Sequence, residues 1–102
     1  MMAKRLQEIH PGEILSEEFL KPLKITGRRL SSDIDVPASR ISEILNGHRP
    51  ITADTALRLG IYFSMDPIFW VNLQAEYDVR IAIRDNKKML QSRIRVYQPL
   101  AA

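Results

Sequence analysis

The apolar pattern of this 102-residue chain calls for an all-α domain of five helices, and three features carry that expectation. Apolar residues recur three and four apart along most of the chain, the spacing that gathers them on one helix face. Caps, prolines and glycines cut the pattern into five stretches, with no repeat and no low-complexity segment. The one run of period two, Arg93-Ile94-Arg95-Val96-Tyr97, lies near the end and leaves room for a short terminal strand only. One core is expected over residues 1–102, with 1–9 a flexible arm and 92–102 a tail.

The first stretch opens at His10-Pro11-Gly12, where a proline loses nothing by lacking an N–H. Ile14, Leu15, Phe19 and Leu20 form its stripe, and Pro22 is expected to end it. Thr26 caps the second, in which Leu30 and Ile34 stack four apart. Asp35-Val36-Pro37 breaks the chain before a third stretch, Ala38 to Asn46, with Ile41, Ile44 and Leu45 inward; Asn46-Gly47 stops it. Thr52 caps the fourth, with Asp54 favoured by the helix dipole and Ala56, Leu57, Leu59, Ile61, Tyr62 and Phe63 as its buried side. Asp66-Pro67 starts a long C-terminal helix carrying Phe69, Trp70, Leu73, Tyr77, Ile81 and, toward its end, Met89.

Composition narrows the function. Cysteine is absent, which removes disulfides, thiolate metal sites and thiol nucleophiles. No apolar run approaches the ~20 residues that span a bilayer, and no apolar stretch follows Lys4 and Arg5, so a cytoplasmic protein is expected. The net charge of +3 is too small to identify a partner. Its surplus lies at the C-terminal end, where Arg84, Lys87, Lys88, Arg93 and Arg95 face Asp85 alone; a solvated helix face accounts for that.

The second and third stretches have a more particular geometry. Leu30, Ile34, Ile41 and Ile44 follow one another at spacings of four, seven and three, which suits two short helices about a tight turn: a helix-turn-helix. In that unit the second helix enters the DNA major groove. With Ile41, Ile44 and Leu45 inward, Ala38, Ser39, Arg40, Ser42 and Glu43 lie on or beside the outer face. Arg40 could grip guanine, Glu43 accept from cytosine and Ala38 touch a thymine methyl. Thr26, Arg28 and Arg29 before this helix, and Asn46, His48, Arg49 and Thr52 after it, are expected to hold phosphate.

The run from Leu30 through Arg40-Ile41 to Asn46-Gly47 resembles the helix-turn-helix of lambda-type repressors, the XRE class. His10-Pro11-Gly12-Glu13-Ile14-Leu15, Ile51-Thr52-Ala53-Asp54-Thr55-Ala56-Leu57-Arg58-Leu59 and Phe69-Trp70-Val71-Asn72-Leu73-Gln74 look, more narrowly, like the HigA antitoxins, also called VapI-like. That resemblance implies a lambda-repressor-like fold and a homodimer on a palindromic operator in its own promoter. It also implies neutralisation of a HigB toxin, a RelE-like ribonuclease that cuts messenger RNA. It puts Ala38, Ser39, Arg40 and Glu43 on DNA-facing positions and Thr26 and Arg28 at phosphate. Asp35 stands where the class usually has glycine, and aspartate tolerates the left-handed backbone such a turn needs. Ser31 replaces a usual alanine at the helix crossing.

Other readings of single residues are plainer. His10 and His48 are too few for a zinc site, so no metal or cofactor is expected. Glu13 and Glu17 share a solvated face, no serine has a base beside it, and an enzyme is not expected. Phe69 and Trp70 read as core; Tyr77, Val79 and Ile81 are the expected dimer contacts; Asn72 and Gln74 read as solvated. The acidic first helix, with Glu13, Glu17 and Glu18, is the expected surface for a basic toxin. Two alternatives stay open: a stand-alone XRE-type repressor without a toxin, and an interaction module that keeps the fold without binding DNA. Arg28, Arg29, Arg40 and Arg49 around one face weigh against the second.

Overall fold

The computed structural model describes residues 9–100, so the expected arm falls almost wholly outside the described residues. The described chain is all-helical. Helix α1 runs without a break through Pro11–Ile14 in α geometry, Leu15–Leu20 in π geometry and Lys21–Leu23 in α geometry again. Then follow α2 (Gly27–Asp33), α3 (Ala38–Leu45), α4 (Ala53–Phe63) and α5 (Ile68–Arg93).

Pro22 does not end α1; it sits inside the last turn. A proline ring collides with the carbonyl four residues back and offers it no N–H. Wider winding relieves that conflict, and the Lys21 N–H reaches the Ser16 carbonyl, five residues back. The helix stops at Lys24, whose φ of 57° is left-handed, and the Ile25 N–H closes on the Leu20 carbonyl at 2.9 Å.

Leu15, Leu30, Ile41, Ile44, Leu59 and Trp70 are fully buried and bring all five helices into one core. Phe19 joins the ends of that core, with its ring 5.0 Å from Phe63 and 4.9 Å from Trp70. Three expectations about burial need correction. Leu57 and Ile61 are 53% and 72% exposed, because α4 buries Thr55, Ala56, Leu59 and Gly60 instead. That helix is apolar nearly all round, so spacing did not reveal which side faces inward. Phe69 is partly exposed with its ring edge-on to Trp70, and Met89 lies in the open, whereas Leu45 packs half-buried against the core as expected.

The terminal strand is also corrected. The last helical residue is Arg93, and 94–100 has no regular structure. An extended segment needs a second strand to bond, and the described residues contain none.

Candidate nucleic-acid interface

The turn between α2 and α3 is built by local rules. The Val36 N–H bonds the Ser31 carbonyl at 3.0 Å and the Asp35 N–H the Ser32 carbonyl at 3.3 Å, the paired closure of a Schellman helix end. Asp35 takes φ 60°, the left-handed state expected of it. Val36 drops into the core, and Pro37 fixes an extended backbone at the start of α3. Inside the crossing, Ser31 is buried and donates from Oγ to the Arg28 carbonyl at 2.7 Å, so the small polar residue costs little.

A residue the sequence reading left unassigned locks this turn. Arg58 of α4 donates from one terminal nitrogen to the carbonyls of Ile34 at 2.8 Å and Asp35 at 3.1 Å. Its Nε pairs with Asp54 at 2.9 Å. The four-residue spacing of Asp54 and Arg58 was visible in the sequence; the reach to carbonyls 24 and 23 positions away was not.

Helix α3 turns Ile41 and Ile44 inward and leaves Ala38, Ser39, Ser42 and Glu43 exposed. Arg40 is half-buried on the flank between these faces, not at the centre of the outer one. Behind α3 stands the start of α1. A Cβ on Gly12 would collide with the Ile44 carbonyl, so only glycine permits that approach. In front, Gly27 and Arg28 of α2 and Ala38, Ser42, Leu45 and Asn46 line one open cleft of about 340 Å³.

The flanking groups are not equally available. Thr26 caps α2 by accepting the Arg29 N–H at 3.0 Å. Arg29 pairs with Asp33 at 3.2 Å. The Tyr62 hydroxyl donates to the same carboxylate at 2.6 Å and, with Arg29, holds Asp33 below the usual carboxylate range. Arg49 pairs with Glu43 at 2.7 Å across the outer face of α3. Arg28 and Arg40 form no ion pair with a described residue. Of the four arginines grouped by sequence, these two keep their donors uncommitted.

After α3, the Gly47 and His48 N–H groups close on the Ile44 and Glu43 carbonyls at 3.0 and 2.8 Å, and Gly47 takes φ 78°. Asn46, His48, Arg49 and Thr52 are all exposed, with Thr52 capping α4 through the Thr55 N–H at 3.3 Å. Gly47 lies against the ring of His10, which caps α1 by accepting the Gly12 N–H on Nδ1 at 2.8 Å. The same ring meets Tyr77 edge-on at 4.9 Å. Burial pushes the His10 imidazole below the ordinary histidine value, against the pull of Asp78 and Glu13 and with the help of His48. Among the described residues, no cluster of three or more histidines, cysteines or carboxylates could hold a metal ion.

Tyr77 is therefore half-buried against His10 within one chain; Ile81 is half-buried too, and Val79 is exposed. Gln74, expected to be solvated, is 8% exposed and hydrogen-bonded at both ends of its amide. Nothing in its spacing marked it, because its main partner is 23 residues away.

No protein-family model matches the chain. Virulence-associated protein I of Dichelobacter nodosus is 48% identical over 81 residues, spanning 79% of this chain and 75% of that protein. Among solved structures, an addiction module antidote protein of the HigA family from Coxiella burnetii superposes with a TM-score of 0.84 at 43% identity, over 89% of this chain and 99% of that one. The Pseudomonas aeruginosa antitoxin HigA, solved with the higBA promoter, gives a TM-score of 0.84 at 40% identity, over 92% and 99% of the two chains. The five-helix architecture, the exposed outer face of α3 and these likenesses place the chain in the HigA family of XRE-like helix-turn-helix antitoxins.

Proposed function

We propose that this protein is a sequence-specific DNA-binding antitoxin that represses its own operon as a homodimer and neutralises a HigB-like, RelE-type mRNA-cleaving toxin. It does so in the cytoplasm, as a single domain, with no cofactor and no catalytic activity of its own. The observation that carries the reading is the outer face of α3: short polar side chains exposed along it, with Arg28 uncommitted in the cleft on one side and Arg40 uncommitted on the flank. The Pseudomonas aeruginosa relative was solved with promoter DNA, which supports a DNA-binding role for this chain.

On this reading Ala38, Ser39, Arg40, Ser42 and Glu43 meet base edges. Arg40 reaches them from the flank along its stem, and Glu43 must first release Arg49. Thr26, Arg28, Arg29, Asn46, His48, Arg49 and Thr52 grip phosphate on either side. Tyr77, Val79 and Ile81 begin a dimer contact that continues along α5, where Val79, Ile83, Leu90 and Ile94 line an apolar groove of about 490 Å³. The acidic side of α1, where Glu13 and Glu18 are exposed and Glu17 pairs with Lys21, offers a surface for a basic toxin.

Fluorescence anisotropy with a duplex from the chain's own upstream DNA tests the assignment. Arg40→Ala should lose about 1–3 kcal/mol of preference at one base pair per half-site. Arg28→Ala should weaken every sequence alike and lower the salt slope by ~0.9 per phosphate released. Equal shifts for both variants on every duplex would remove Arg40 from base reading. Co-expression with the neighbouring small basic open reading frame separates an antitoxin from a repressor acting alone: only the antitoxin retains that product through purification.

A further inference from the structure

The loop from Asn46 to Thr52 carries four of the residues placed at phosphate, yet its backbone is tied to the rest of the fold at few points. Its first N–H groups close on α3, its last residues cap α4, and Pro50 has no N–H to give. Between them lies Ile51, buried at 3% exposure, whose N–H must find a partner away from water. That partner is the Gln74 side chain of α5: Oε1 accepts at 2.8 Å, in a buried bond. The other end of the amide is fixed as well, Nε2 donating to Asp78 Oδ1 at 2.9 Å. Among the described residues this is the only hydrogen bond from the loop backbone to α5.

We infer that Gln74 is a positioning residue for DNA binding, which holds Arg49 at phosphate by pinning the loop to α5 through Ile51. The inference rests on the DNA-binding reading above and adds a residue that touches no DNA. Arg49 is positioned through its backbone, which Gln74 sets two residues on, while its guanidinium, paired with Glu43 in the free chain, turns to phosphate once that carboxylate meets a base. An apolar residue at 74 leaves the Ile51 N–H buried and unpaired, and the loop relieves that by swinging toward water. Arg49 moves with it. Asp78 acts one step further out, by keeping the Gln74 amide from rotating.

The experiment measures binding of an upstream duplex and of a scrambled duplex across salt for the full chain. Gln74→Met should weaken binding to both roughly tenfold, the effect of one misplaced charged contact in each half-site. The salt slope should fall by about one unit per half-site, the preference between duplexes should stay, and Arg49→Ala added to Gln74→Met should change nothing more. A role in stability alone lowers the active fraction and leaves the slope of the active molecules at the wild-type value; that result overturns the inference, as does full additivity with Arg49→Ala. If Gln74→Met does not fold, Asp78→Leu should lose part of the slope while Asp78→Asn, which keeps an acceptor, retains it; equal slopes overturn the inference. Wild-type protein that binds neither duplex at low salt sinks the DNA-binding reading itself. Wild-type binding with a normal slope in the position-74 variant sinks this inference alone.

Discussion

From Pro11 to Gln74 the apolar faces find most of their partners inside the same chain, whereas from Ala82 to Leu100 every residue is exposed. The first region closes a core around α3 and places a turn, two caps and a cleft beside it. The second continues α5 away from that core, part of a molecule measuring 58 Å along its long axis against 33 and 21 Å across. Yet it is no polar tail: Ile83 and Leu90, seven apart, continue the line of Val79 and stand open. An isolated helix of some 12 residues is marginal in water, so this stretch draws its order from continuity with the core and from whatever covers its stripe. The head closes its apolar residues into a core, whereas the distal helix leaves its apolar stripe open.

The largest effect expected from that contrast is on folding. Leu30→Ala, in the head, should cost about 2–5 kcal/mol in urea unfolding, while Leu90→Ala costs the monomer under ~0.5 kcal/mol. Comparable losses at the two sites would show that the distal helix belongs to the core. Next comes assembly. Ile83→Asp with Leu90→Asp should leave the helical signal and the head's unfolding midpoint near wild type, abolish the dimer in sedimentation, and weaken operator binding about 100-fold through lost avidity. A dimer that survives this pair moves the interface elsewhere.

Smaller differences sharpen the picture within the head. Arg28→Ala should weaken DNA binding by several-fold more than Arg29→Ala, because Arg29 already spends its charge on Asp33 while Arg28 has no such pair. The order of the two dissociation constants decides that point. Smallest is a pH effect at His10. Its cap requires an unprotonated Nδ1 and burial disfavours the cation, so the unfolded chain takes up the proton first. The stability from this cap is complete above about pH 6.5 and is lost as pH falls from there through the lowered folded value. With Asp78 and Glu13 facing the ring and limiting the shift, the loss should not exceed ~1 kcal/mol, the worth of one cap. Thermal midpoints from pH 7 to 5 should decline for the wild type and flatten for His10→Asn, which caps without titrating.

Much of this was written locally. Thr26 and Thr52 cap the helices they were expected to cap, Asp35 takes its left-handed turn, and Ile41 and Ile44 point inward from α3. Each depends on interactions within a few residues, where spacing and residue type suffice. Pro22 was misread because a π-helical winding absorbs a proline that α geometry rejects. Leu57 and Ile61 were misread because an all-apolar helix names no inward side until a neighbour packs on one.

The chain order alone thus indicated five helices, their caps and the helix-turn-helix pair they contain. Assembly in three dimensions settled that Arg58 closes the turn, that Gln74 holds the loop, and where Arg40 stands relative to the outer face. The division has one cause. A helix and its cap are closed by neighbours in sequence, whereas the turn carbonyls held by Arg58 and the loop N–H held by Gln74 are closed by groups that packing brings together from more than twenty residues apart.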